Sequence, residues 1–217
     1  MALEVAVVGG HGQVALRLLR LLSERGDRAR GLIRNQDHAA DVEATGATAV
    51  GADIENLDAD GIARSIAGVD AVVFAAGAGP GSGPARKRTV DYGGAVKLID
   101  AAQRNDISRY LMVSAIGVNR PERWSDQMRP YLEAKAKADA ELTDSGLDYT
   151  IVRPGGLTDD PGTGMVDAAE SLDRYGRIPR DDVAATLVAC LDEPATVRKA
   201  FDLLAGETPI PDALAAL

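Results

Sequence analysis

The 217-residue sequence predicts an α/β protein with a doubly wound, mainly parallel sheet of six or seven strands and helices on both faces. Three observations carry that expectation. Short runs rich in Val, Ile and Leu alternate along the whole chain with segments of helical periodicity. Some of these runs, such as "VDAVVFAAG" (69–77), are apolar almost throughout, as strands covered on both faces require. Glycine, proline and capping acids punctuate the boundaries, and no repeat, heptad or linker interrupts the alternation. Residues 1–217 therefore read as one domain, with a small substrate-side region expected at about 117–130 and 156–180.

Leu3–Val8 is the first strand, and Val14, Leu18, Leu21 and Leu22 set the face of the helix that follows to Gly26. "RARGLIR" (28–34) is a second strand, weakened by Gly31. A short helix around Ala39–Ala44 closes at Gly46, and "ATAVGAD" (47–53) is the third strand. Asp58 caps a helix to Ala67, ahead of the fourth strand at 69–77. "AGAGPGSGPARK" (76–87) reads as a mobile loop before a long helix with Ala95, Leu98, Ile99 and Ala102 on one face. The fifth strand is "SRYLMVSAIG" (108–117). Pro130 then starts a helix to Gly146, a position where its missing N–H costs nothing. "DYTIVRP" (148–154) is a sixth strand, "RDDVAATLVACL" (180–191) a last long helix, and "KAFDLLAG" (199–206) supplies a final strand.

Composition bounds the partners. A formal charge of −9 argues against nucleic acid or an anionic membrane surface, both of which select for basic faces. The single cysteine, Cys190, sits in an apolar run and can form neither an internal disulfide nor a cysteine-based zinc site, so no metal site is expected. A strand beginning at residue 3 leaves no room for a signal peptide, and no apolar run reaches bilayer length, so the expected location is cytoplasmic. A small molecule is the expected partner, and either a monomer or a homodimer is compatible with the sequence.

The segment "VVGGHGQVA" (7–15) lies between the first strand and the first helix. There Gly9 permits a tight turn, Gly12 lets backbone approach a pyrophosphate, and Ala15 allows close helix–strand packing, while the helix start offers N–H groups to phosphate. In a β-α-β series this points to a dinucleotide-binding Rossmann fold. His11 reads as a polar turn residue near phosphate rather than as a catalyst. NAD-selective sites usually place Asp or Glu at the end of the second strand. This chain places Arg34 there, with Asn35 next and no acid until Asp37, so NADP(H) is favoured over NAD(H) through guanidinium pairing with the 2′-phosphate. Asp53 ends the third strand, as either an adenine neighbour or a turn residue.

"YLEAK" places Tyr131 and Lys135 four residues apart on one helical face. A phenol titrates near 10, and a neighbouring ammonium stabilises the phenolate, so Lys135 is expected to lower the Tyr131 pKa. Ser114 ends the fifth strand, where it would hold a substrate oxygen, and Asp91 opens the helix after the fourth strand. Arg123, Trp124 and Met128 are candidate substrate contacts, though Trp124 reads equally as a packed loop residue.

These blocks together, with "GLIRNQ", "VDYGG", "YLMVSAIG", "YLEAKAKADAEL", "LDYTIVRPGGLT" and "IPRDDVAATL", resemble the short-chain dehydrogenase/reductase superfamily. The likeness is to its atypical single-domain NAD(P)-binding members. The resemblance implies that the loop Gly9, Gly10, His11, Gly12, Gln13 and Val14, with Ala15, holds pyrophosphate, and that Arg34 meets the 2′-phosphate, with Asn35 beside it at the cofactor. Asp53 and Ile54 would lie near adenine, Ala75, Ala76 and Gly77 along the ribose, and Pro154, Gly155, Gly156 and Leu157 on the nicotinamide side. Ser114, Tyr131 and Lys135 match the catalytic Ser, Tyr and Lys, with Lys135 also bonding the nicotinamide ribose. Asp91 stands where the family usually has Asn. Three functions follow as expectations: an NADP(H)-dependent reductase or dehydrogenase of a small carbonyl or alcohol, an NADP(H)-binding regulatory or assembly protein, and an NAD(P)-dependent epimerase. The third is disfavoured by the short segment after Gly156.

Overall fold

A computed structural model describes residues 2–79 and 81–217; Pro80, in the glycine- and proline-rich loop, lies outside the described residues. The first strand, β1 (Glu4–Val8), alternates its side chains between the two faces of the sheet. Val5 and Val7 enter one apolar cluster and Ala6 and Val8 the other, which is why the stretch after Glu4 carries no polar position. Helix α1 (Gln13–Arg25) buries Val14, Ala15, Leu18, Leu19 and Leu22 on the first of these faces and ends at Gly26, whose φ of +90° closes the last turn.

The next strand, β2 (Arg28–Ile33), contains the glycine expected to weaken it. A Cβ at Gly31 would sit 2.7 Å from Val42 Cγ1 and 3.0 Å from Leu19 Cδ1, so glycine here lets α1 and α2 (Ala39–Glu43) press onto the strand. Strand β3 (Thr48–Gly51), helix α3 (Ala59–Ser65, capped by Asp58) and β4 (Ala71–Phe74) follow as read from the sequence, with β4 shorter than anticipated.

The long helix expected next is broken. Helix α4 (Gly83–Arg86) leads into a π-helical turn (Lys87–Tyr92), and only then does α5 (Gly93–Arg104) begin. Asp91 therefore does not open a helix but sits inside a widened turn, a feature that recurs at functional sites. Strand β5 (Arg109–Val113), helix α6 (Arg129–Asp144) and β6 (Asp148–Pro154) complete the central order. Beyond them lie β7 (Gly156–Thr158), β8 (Met165–Ala169), β9 (Arg177–Pro179), α7 (Arg180–Asp192), β10 (Lys199–Ala205), β11 (Thr208–Pro209) and α8 (Ile210–Ala215).

Among the described residues nine strands form one sheet in the order β11-β8-β10-β6-β5-β4-β1-β2-β3. The run from β10 to β3 is parallel throughout, which supplies the seven strands expected. The two additional strands, β8 and β11, add antiparallel at the β10 edge, and β7 pairs with β9 in a separate ribbon. All but one of these extra elements come from 156–180, whose glycines and prolines hid strands too short to show a period. Helices α1, α2, α7 and α8 cover one face of the sheet, and α3, α5 and α6 cover the other. The strand order reverses between β1 and β4, and a crevice opens outside the carboxyl ends of these two strands. Among the described residues no helix is long and apolar enough to cross a membrane.

Candidate active site

The crevice begins with the glycine loop. Gly9 takes φ +83°, and a Cβ there would come within 2.7 Å of Ala76 Cα; a Cβ on Gly10 would meet the Gly31 backbone at 2.8 Å. Only glycine satisfies both positions. The Gly12 N–H donates to the Gly9 carbonyl at 2.7 Å, tying the loop into a bend. Gly12 also caps α1 without any side-chain acceptor, and the first turn of α1 carries no acid. The N–H groups of Gln13 and Val14 thus begin the helix with its positive end open to an anion. Ala15 is fully buried against the sheet.

A groove enclosing about 210 Å³ runs from this loop, past Arg34 and Asp53–Glu55, to Ala75–Gly77. Arg34 is exposed and has no carboxylate partner among the described residues. Asn35, beside it, turns away and accepts from the Asp37 N–H, capping a short turn. The Asp53 carboxylate accepts from the Glu55 N–H at 3.0 Å and the Asn56 amide at 2.7 Å. Its side chain thus fills the turn role, and Asp53 lines the groove together with Ile54 beside it. His11 also lines the groove, stacked on His38 at 3.7 Å between ring centroids and bonded to Asp41 at 2.8 Å. His38, Arg86 and Glu55 were not anticipated in the groove. Arg86 is engaged by Glu55 at 3.0 Å, and Glu55 also accepts from Thr89; that hydroxyl and then Arg86 hold its carboxyl below the ordinary value.

At the far end the π-helical turn points Asp91 inward, fully buried. Its Oδ2 accepts from the Ala78 N–H at 3.1 Å, and its Oδ1 lies 3.7 Å from Lys135 Nζ. Lys135, 3% exposed, donates to the Val113 carbonyl at 3.0 Å and reaches the Ala76 carbonyl at 3.5 Å. Burial lowers its pKa, against the pull of Asp91 and Asp139, which raise it. Ser114 lies one residue past β5, buried, its hydroxyl without a partner among the described residues.

Tyr131 enters from the first turn of α6, half-buried, with the Lys87 ammonium 5.1 Å from its ring centroid. The expectation that Lys135 lowers its pKa is not met in this arrangement. Burial, then the Asp91 and Asp139 carboxylates, push the phenol up instead, because the Lys135 charge is directed at Asp91 and a strand-end carbonyl. Pro154, Gly155, Gly156 and Leu157 lie at the ends of β6 and β7 rather than along the groove; a Cβ on Gly155 would meet the Gly176 carbonyl at 2.5 Å. Trp124 donates its indole N–H to the Gly117 carbonyl at 2.8 Å and so pins the loop, while Arg123 and Met128 face solvent.

Two residues that the sequence pattern did not single out complete this end. Asp139, on α6, and Arg153, on β6, pair at 2.9 Å, both nearly buried. The signal for Asp139 was a spacing of four from Lys135, the same step that marks Tyr131; nothing in one sequence marks Arg153.

A family model described as NAD(P)H-binding matches residues 9–194. The "uncharacterized sugar epimerase YhfK" of Bacillus subtilis is 45% identical over 213 residues, covering 98% of this chain and 99% of that protein. A solved Bacillus halodurans structure, bearing the name of an NAD-dependent epimerase/dehydratase, superposes with a TM-score of 0.94 at 38% identity and full coverage of both chains. The oxidoreductase ylbE of Lactococcus lactis superposes with a TM-score of 0.88 at 30% identity, covering 99% of this chain and 96% of that one. On the family match and the full-length similarity to the Bacillus subtilis relative, the chain belongs to the NAD(P)H-binding family of Rossmann-fold proteins.

Proposed function

We propose that the protein is an NADP(H)-dependent reductase of a small carbonyl compound. The observation that carries the reading is that Lys135 and Asp91 meet beside the Ala76–Gly77 end of a groove whose other end is a glycine cradle, with Tyr131 one helical turn before Lys135 on α6 and Ser114 buried one residue past β5. The residues fit the coenzyme. Glycines stand where a Cβ would collide, α1 begins with no carboxylate to compete for its N–H groups, and the Arg34 guanidinium is unengaged among the described residues. Gly9–Gly12 and the start of α1 would hold the pyrophosphate, Ile54 and Ala75–Gly77 would flank the adenosine, and Arg34 would meet a 2′-phosphate. Bound there, the nicotinamide supplies a hydride to the substrate carbon.

The chain's own residues handle the oxygen and its proton. Ser114 presents a buried, unpartnered hydroxyl able to donate to a carbonyl oxygen. Tyr131, its pKa raised by burial, stays a phenol at neutral pH, which suits proton donation in reduction better than proton abstraction in oxidation. Asp91 holds the Lys135 ammonium beside the 76–78 backbone, where Lys135 would orient a ribose. The substrate would enter between residues 117–130 and 156–180, where exposed Met128 and Tyr175 offer apolar surface.

The raised Tyr131 pKa favours a second reading, an NADP(H)-binding regulator or assembly protein without turnover. The names of two relatives also keep an epimerase in view, against which stands the short segment after Gly156. The test follows the near-ultraviolet absorbance of NADPH over a panel of small carbonyl compounds. Turnover that falls by at least about 100-fold in Tyr131→Phe supports the reductase and the phenol's role. Full turnover by that variant overturns the role, and tight NADPH binding with no turnover overturns the reductase.

A further inference from the structure

Among the described residues two large apolar side chains stand exposed, Met128 at 44% and Tyr175 at 67%. Single exposed apolar residues are ordinary on a protein surface, but these two belong to one mouth. The chain leaves β5 through Ser114 and Ile116, whose N–H groups donate to the Val152 and Pro154 carbonyls of β6, and turns at Gly117, where φ is +84°. It returns at Tyr131, whose N–H donates to the Met128 carbonyl at 3.0 Å. The loop 117–130 thus joins the two side chains proposed to meet the substrate oxygen, Ser114 and Tyr131.

Gly117 is the hub of this loop. Its carbonyl accepts from the Trp124 indole N–H at 2.8 Å and from the Arg120 N–H at 3.0 Å. A Cβ on Gly117 would lie 3.9 Å from the Tyr175 ring, so Tyr175 closes on the same turn from the 156–180 side. Tyr175 is not on a loose segment. Arg120 bonds the Ser171 hydroxyl and the Leu172 carbonyl, and the Leu172 N–H donates to the buried Asp202 carboxylate at 2.9 Å. On either side of Tyr175, Arg174 pairs with Asp167, and the Gly176 carbonyl accepts from the Gly156 N–H at 2.9 Å. The backbone is fixed, yet the ring it carries is left to water, where its apolar area gains nothing from folding.

We propose that the substrate is a planar aromatic carbonyl compound whose ring seats against Tyr175 and Trp124, and that Tyr175 is a specificity-determining residue. The inference rests on the reductase reading and names its substrate class. The side chains at this mouth are two rings and the Met128 thioether, whose contacts favour an aromatic partner. No Leu, Ile or Val is exposed among the described residues to suit an aliphatic chain instead. One indole face is turned to the start of α6, where the Arg129 guanidinium stands 6.0 Å from the ring centroid. Two exposed side chains fall far short of the roughly 800 Å² per partner of a stable dimer, so the occupant is a small molecule. The chemistry is unchanged: the carbonyl carbon takes the hydride of NADPH and the oxygen takes the Tyr131 proton. NADP⁺ and an alcohol result, and water returns a proton to the Tyr131 oxygen.

The test uses the full chain saturated with NADP⁺, so that no ketone is reduced during binding. The probes are 2-acetylnaphthalene and its ring-saturated analogue 2-acetyldecalin, which share a carbon skeleton and differ in flatness and π-faces. Calorimetric titration is expected to give the aromatic ketone a Kd at least about tenfold lower. Trp124, the only tryptophan, should report its binding by saturable quenching. Tyr175→Ala is expected to remove most of the difference between the two ketones and Tyr175→Phe to retain it. The ring is exposed, so both variants should fold, with NADPH affinity as the check. No binding of the aromatic ketone, equal Kd values for the two, or a preference untouched by Tyr175→Ala overturns the proposal. So does Trp124 emission that changes with protein concentration alone, which would give the aromatic surface to a second copy of the chain. Repeating the titration as turnover with NADPH separates the two readings. Selective binding without reduction supports the ring seat and overturns the reductase; reduction of both ketones at equal KM supports the reductase and overturns the ring seat.

Discussion

Replacing Arg34 by Ser should separate the two coenzymes. The guanidinium stands at the end of β2 in the wall of the groove, exposed and with no carboxylate partner among the described residues. The substitution therefore breaks no internal ion pair and should leave folding untouched. What it removes is a charge-assisted contact to a 2′-phosphate, ordinarily about 1.5–3 kcal/mol. Because the side chain is solvated, the lower part of that range applies, about 1.5–2 kcal/mol, or roughly a 10- to 30-fold rise in the NADPH Kd. NADH has no 2′-phosphate, so its Kd should change by less than about twofold. Fluorescence titration with both coenzymes at two salt concentrations measures this, and the wild type should show the steeper salt dependence for NADPH. Equal losses for the two coenzymes, or none for NADPH, would refute the reasoning. A loss appearing instead in Arg86→Ser would show that the phosphate ligand is the guanidinium already paired with Glu55 and not the unpaired one.

Three further outcomes are expected. Gly31→Ala should cost about 1–3 kcal/mol in denaturant melts, because its methyl would sit 2.7 Å from Val42 Cγ1; Val42→Ala in the same chain should recover part of it, and strict additivity would refute the contact as the cause. Burial pushes the Cys190 thiol up to about 12, so a thiol reagent should label it only as fast as the chain unfolds, and rapid labelling of the folded protein at pH 8 would contradict this. Burial also raises the Asp139 carboxyl above its ordinary 3.8, so the folded chain keeps that proton over a pH interval where the unfolded chain has released it. The destabilisation is fully present above the raised value and disappears as pH falls through it. Between pH 7 and pH 4, melting temperatures should thus shift in favour of the wild type over Asp139→Asn; the opposite shift would mean that Arg153 holds the carboxyl below the ordinary value.

The coenzyme end of the groove was legible because its requirements are local. A positive φ at Gly9 and an open helix start at Gly12 are consequences of neighbouring residues, and glycine at those positions is their direct record. The central strands β1 and β4 were legible for a related reason, since burial of Val5–Val8 and Ala71–Phe74 on both faces leaves no polar position to interrupt those runs. What escaped has non-local causes. Gly31 reads as a strand weakness until Val42, eleven residues on, is packed against it. The π-helical turn at Lys87–Tyr92 leaves no periodic mark over six residues, yet it decides that Asp91 faces Lys135. Arg153 follows the buried Thr150–Val152 of β6, and its two acidic neighbours, Asp139 and Asp202, come from α6 and β10.

The same distinction shows why Tyr131 and Lys135, read as a pair, were assigned the wrong electrostatics. A spacing of four puts two side chains on one helical face but does not say which charges meet them there. Two carboxylates act on this face of α6: Asp91 from the π-helical turn and Asp139 from the helix itself. Lys135 is drawn to the nearer of them, and the phenol is left facing net negative charge, which opposes its ionisation. A second ammonium, Lys87, lies over the Tyr131 ring at 5.1 Å, but it approaches the π-face and does not restore the phenolate's stability. In a site so arranged, Tyr131 keeps its proton at neutral pH, which suits it to donate in reduction rather than to abstract in oxidation.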